Sequence, residues 1–128
     1  MHRSRLTGFI IDCKTDDLES AATFWSEALG YPLKDAAPDP ASKYRKLDTG
    51  PNGLNIEVQQ VQHDSRVHLD IESDDVEAEV ARLEALGARR IEKVHTWWVM
   101  EAPTGQRFCV VRVQQAETFE AEAKRWSG

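Results

Sequence analysis

The chain has 128 residues, 41% hydrophobic and 30% charged, with a formal net charge of −6. This length suits one domain, spanning residues 1–128, with a core of its own. The acidic balance argues against a general nucleic-acid or anionic-membrane binder, since both need a positive face.

From the N-terminus, Met1-His2-Arg3-Ser4-Arg5 leads into an apolar, strand-like run at Leu6–Cys13. No signal-type apolar stretch follows, and no run approaches the ~20 residues of a membrane span. A cytoplasmic protein is expected, and two cysteines, Cys13 and Cys109, fit a reducing compartment. Cys13 reads as a small buried apolar residue. Asp16 with Glu19 resembles a capping box. Leu18, Ala22, Trp25 and Leu29 then fall on one helical stripe, widened by Phe24 and Ala28, and Gly30 is the expected stop. Tyr31–Lys34 reads as a short strand and Asp35–Ser42, with Pro38 and Pro40, as a loop. Lys43–Asp48 and Leu54–Val61 read as strands joined by the turn Gly50-Pro51-Asn52-Gly53.

The pattern then restarts. Val67–Glu72 alternates like a strand, and Asp74 with Glu77 repeats the cap. Val76, Val80 and Leu83 form a stripe with Leu86 beside it, and Gly87 stops the helix. Arg90–Val94, Thr96–Glu101 and Arg107–Val113 read as strands, with Pro103-Thr104-Gly105 a turn before the last. A C-terminal helix is expected at about 116–126, anchored by Phe119, Ala123 and Trp126.

Asp12, Asp16-Asp17-Leu18-Glu19 and Glu27-Ala28-Leu29-Gly30 match Asp70, Asp74-Asp75-Val76-Glu77 and Glu84-Ala85-Leu86-Gly87. The offset is 58 residues at the start and 57 at the end, so one gap suffices. Two copies at this period indicate a duplicated module rather than a solenoid, which needs at least three repeats.

Val67-His68-Leu69-Asp70-Ile71 with the helix Asp74–Ala88 resembles the second module of glyoxalase-like proteins. These belong to the vicinal oxygen chelate superfamily, with the glyoxalase and bleomycin-resistance proteins. Phe24-Trp25 with Leu29-Gly30-Tyr31 resembles the end of the first module's helix. Ala102-Pro103-Thr104-Gly105-Gln106-Arg107-Phe108 resembles the family's turn before the last strand. The resemblance implies an α+β fold of two βαβββ modules, at about 6–61 and 66–113. Their curved mixed sheet would form an open cup holding metal and substrate, with the C-terminal helix outside the repeat. It also implies a homodimer.

Metalloenzymes of the family place four ligands on cup-facing strand positions. By that pattern the first falls at Gly8 or Ile10, neither of which can bind a metal. The second matches Glu57, the third His68, and the fourth falls at Cys109, where Glu is usual. A metal-free member is therefore the first expectation. A Glu57/His68/Cys109 site for zinc, nickel, iron or manganese is the alternative.

Strand alternation sends Phe9, Ile11 and Cys13, Leu54, Ile56 and Val58, Val67, Leu69 and Ile71, and Phe108 and Val110 to the core. It leaves Asp12, Asn55, Glu57, Gln59, His68, Asp70, Glu72, Arg107 and Cys109 facing the cup. Glu57, His68 and Asp70 are the candidate catalytic residues. Asp12, Tyr44, Asn55, Trp98 and Arg107 are the candidate ligand-binding ones. Adjacent Trp97 and Trp98 point to opposite faces, and the pattern does not say which faces the cup. Asp12 and Glu72 read as solvated rim carboxylates, and His2, His63 and His95 as surface residues.

Three functions fit. The first is a binding protein for a small molecule, cationic or amine-bearing among the candidates. The second is a metal-dependent lyase, isomerase or dioxygenase using Glu57 and His68. The third is a cofactorless acid–base enzyme pairing His68 with a carboxylate.

Overall fold

The computed structural model describes residues 1–35 and 39–127. Its strands are β1 (His2–Lys14), β2 (Tyr44–Leu47), β3 (Asn55–Val61), β4 (Arg66–Ser73), β5 (Arg89–Val94), β6 (Trp97–Glu101), β7 (Arg107–Arg112) and β8 (Lys124–Trp126). The helices are α1 (Leu18–Leu29), α2 (Val76–Ala85) and α3 (Ala116–Glu122). The chain is α+β with a mixed sheet, and both βαβββ runs occur in the expected order. The expected loop at Asp35–Ser42 lies partly outside the described residues. No helix among the described residues is long and apolar enough to cross a membrane.

The residues group into two compact units, Gly8–Val67 and Met1–Thr7 with His68–Gly128. In Gly8–Val67, the second half of β1 runs parallel to β3, from Gly8 opposite Asn55 to Lys14 opposite Val61. β2 pairs with β3 antiparallel. Helix α1 packs on β2 and β3. Ile11, Leu47 and Ile56 form the core, with Phe9, Cys13, Trp25 and Leu33 packed against it. Each such aliphatic side chain contributes about 1.5–3 kcal/mol when fully buried. The expected strand at Tyr31–Lys34 reduces to a single bridge, Leu33 to Leu47.

In the other unit, the first half of β1 lies beside β4, and the order continues β4-β7-β6-β5. β4 and β7 are parallel, and β5, β6 and β7 run antiparallel in succession. Val80, Met100 and Val110 form the core under α2, with Val76, Leu83, Ala88, Trp98 and Phe108 around them.

Strand β1 starts four residues earlier than expected. Its polar start is held by side-chain partners: Arg3 donates to Asp74 through its backbone N–H at 2.8 Å and through Nε at 2.9 Å. The helix caps shift by one residue. Asp17 accepts from the Ser20 N–H and Asp75 from the Ala78 N–H, both at 3.1 Å. In the second helix, Asp74 is occupied by Arg3, which leaves Asp75 to cap. Gly30 stops α1 in the left-handed region at φ 77°, as expected of a helix-terminating glycine.

The expected C-terminal helix ends at Glu122, and Ala123 turns extended at ψ 140°. Lys124–Trp126 then pair antiparallel with β1, from His2 opposite Trp126 to Ser4 opposite Lys124. Trp126 anchors a strand rather than a helix because its Nε1 donates to Ser4 Oγ at 2.8 Å.

Candidate active site

The polar face of β4 and β7 carries the densest chemistry. His68 and Asp70 are two residues apart on β4 and so share a face. Asp70 is the register partner of Cys109 on β7, and Cys109 is opposite Val99 on β6. One ligand atom from each of His68, Asp70 and Cys109 lies within 4.8 Å of the others. His68 Nε2 stands 3.6 Å from Asp70 Oδ1, and both side chains are largely buried.

Imidazole, carboxylate and thiolate together suit a borderline divalent ion such as zinc. Ion–ligand distances of about 2.0–2.3 Å require donors about 3.3–3.7 Å apart, and the His68–Asp70 separation already meets this. The donor set therefore fits a metal. It differs from the expected set in that Asp70 joins His68 and Cys109, whereas Glu57 lies on β3 in the other unit.

Two residues further along β4, Glu72 is fully buried. Among the described residues neither of its oxygens has a hydrogen bond, and Arg5 Nη2 stands 3.7 Å from Oε2. This overturns its reading as a solvated rim carboxylate. Arg107 pairs with Glu101, Nε to Oε2 at 3.4 Å. Trp97 shares the face of Val99 and Cys109. Trp98 lies on the opposite face, in the core under α2. There its Nε1 donates to Glu77 Oε1 at 3.4 Å, and the Arg90 guanidinium stacks on its ring. Trp98 is thus a core residue, not a wall of this face.

In the Gly8–Val67 unit, Asn55 Nδ2 donates to Glu57 Oε2 at 2.9 Å, and Gln59 Nε2 donates to the Tyr44 hydroxyl at 3.0 Å. Asp12 is 2% exposed, with His63 Nε2 at 3.9 Å and Arg66 Nε at 3.8 Å from Oδ2. It too is buried and so is no rim carboxylate. Gly8, at one of the two missing-ligand positions, has a steric cause. A Cβ there would meet the Asn55 carbonyl oxygen at 1.8 Å.

Sequence reasoning missed the His2–Glu79 pair. His2 is buried, not on the surface, with Nε2 2.8 Å from Glu79 Oε1. Ser4 Oγ and Arg82 Nε and Nη2 also donate to Glu79, each at 2.8 Å. Burial pushes the Glu79 carboxyl up, but hydrogen bonds from Arg82, His2 and Ser4 outweigh it and hold it below its usual range. No local motif signals a contact across 77 residues.

The glyoxalase-like domain family model matches residues 8–111, and the chain belongs to that family. Among solved structures, a hypothetical protein from Bacillus halodurans C-125 is 13% identical with a TM-score of 0.63, covering 87% of this chain and 95% of that one. An NAD-dependent benzaldehyde dehydrogenase from Legionella pneumophila is 9% identical with a TM-score of 0.60, covering 83% and 99%. A methylmalonyl-CoA epimerase from Mycobacterium tuberculosis is 15% identical with a TM-score of 0.57, covering 88% and 92%. At these identities the likeness is one of fold. No curated protein matches the chain.

Proposed function

We propose that this chain binds a small oxygen-bearing molecule with the help of a divalent metal, zinc foremost, held by His68, Asp70 and Cys109. The carrying observation is that the three side chains offer nitrogen, oxygen and sulfur donors within 4.8 Å of one another. Three protein ligands leave a coordination position for a ligand oxygen. A bound metal there supplies Lewis-acid polarisation of that oxygen. Cys109 must lose its proton to ligate, so binding releases protons and weakens in acid. Glu72, two residues beyond Asp70 on the same face of β4, favours ligands that also carry a hydrogen-bond donor or an amine. A homodimer in a reducing, cytoplasmic setting completes this reading, and sedimentation tests the dimer.

Zinc titration followed by elemental analysis tests the metal. One ion per chain is expected, with affinity at least about 100-fold lower in His68→Ala, since a lost ligand costs more than a lost supporting contact. Stoichiometric metal that His68→Ala and Cys109→Ser both retain would rule this site out.

A second reading rests on the His68–Asp70 pair at 3.6 Å. A carboxylate beside an imidazole can hold and move a proton without a metal. A solved structure of similar fold is that of an isomerase, a methylmalonyl-CoA epimerase. Turnover that survives chelation in a substrate screen, and is lost in His68→Gln, would favour this reading.

A further inference from the structure

The opposite face of β1 and β4 carries a cleft of about 350 Å³. That is near the small end of ligand-pocket volumes, roughly 300–1,000 Å³. Its walls are Leu6, Leu69, Ile71 and Trp126. Leu69 was expected to pack under the helix, yet it is 49% exposed, and Leu6 is 43% exposed. Helix α2 sits on β5, β6 and β7. Leu6 on β1 and Leu69 on β4 are left open.

One end of the cleft is built and rigid. Glu79 is fully buried there, and its two oxygens receive Ser4, His2 and both Arg82 bonds. The Arg82 guanidinium lies 3.8 Å from the Trp126 ring centroid. Glu79 has no acceptor capacity left for a cationic ligand, and Arg82 neutralises it. Arg5, which also lines the cleft, faces Glu72 and donates to Gln115 Oε1 at 2.6 Å. Lys124 at the rim forms no ion pair with a described residue. The cleft thus joins apolar walls to a net positive edge with one unpaired ammonium. Four wall side chains fall far short of the 20–30 residues per side of a standard protein interface.

We propose that this cleft binds a small amphipathic carboxylate, its alkyl or aryl body against Leu6, Leu69, Ile71 and Trp126 and its carboxylate on Lys124. The site is separate from the metal donors, which lie on the other face of β4, so the two proposals stand or fall independently.

Sodium octanoate titrated calorimetrically into the full chain, with excess EDTA present, tests it. Saturable binding of one octanoate per chain is expected. Octanol and octylamine should each bind at least about tenfold more weakly, as should octanoate to Lys124→Glu, because a charge-assisted bond is lost. Leu69→Asp should abolish binding. Both residues are exposed, and an unchanged circular dichroism spectrum with an unchanged urea midpoint verifies that the variants fold. Equal affinity for octylamine, or unsaturable heats, overturns the proposal. So does a wild-type dimer that ignores octanoate and that Leu69→Asp converts to monomer, since a second copy then covers the cleft.

Discussion

Gly8 shows how a single residue constrains a strand pair. The sequence left the absent first ligand at Gly8 or Ile10, and at Gly8 β3 runs so close that the Asn55 carbonyl occupies the place of a Cβ. Gly8→Ala is therefore expected to cost about 3 kcal/mol, the upper end of overpacking, read as a lower urea midpoint at unchanged slope. Gly8→His should fail to add a metal ligand and should unfold the strand pairing instead. The His68-x-Asp70 spacing was legible as one face, and so was Cys109. Their closeness required the β4–β7 register, which no local pattern encodes. The burial of Asp12, Glu72 and His2 was illegible for the same reason, since each depends on groups brought in from distant strands.

At the scale of elements, α1 and α2 each begin at paired aspartates, and the sequence could not choose between neighbours with the same capping chemistry. The structure separates them by what else is nearby. Asp17→Ala and Asp75→Ala should each cost about 1 kcal/mol in urea unfolding, whereas Asp16→Ala should change little. Asp74→Ala should destabilise through a different route, the loss of the Arg3 tie. Helix periodicity, the stops at Gly30 and Gly87, and the two hairpins were all readable because their causes are local. The final segment was not. Residues 116–126 have an amphipathic pattern that suits a helix throughout, but Ser4 and Arg82 capture Trp126 in an extended chain.

For the molecule as a whole, duplication made the fold class legible, while the pattern of burial across β4 was not. Polar Glu72 is enclosed and apolar Leu69 is open, because burial follows which neighbours cover a strand rather than the strand's own alternation. Stability should carry the mark of Glu79. Its folded-state pKa is depressed, so its contribution is full above the ordinary carboxylate value of about 4.3. That contribution is lost as pH falls through the lower folded value. Glu79→Gln should cost about 2 kcal/mol at neutral pH by leaving Arg82 without its charged partner. The gap between wild type and variant in urea should narrow as the medium is acidified below about pH 4.

The short strand β8 has a kinetic consequence. It is three residues long, and its partners His2–Ser4 stand more than 115 residues earlier in the chain. Closing so long a loop yields few contacts in return, and that kind of contact forms late in folding. The amides of Lys124–Trp126 are therefore expected to exchange with deuterium well before those of β7. Trp126 emission should recover in the slowest refolding phase, after the emission of Trp98 in the core under α2.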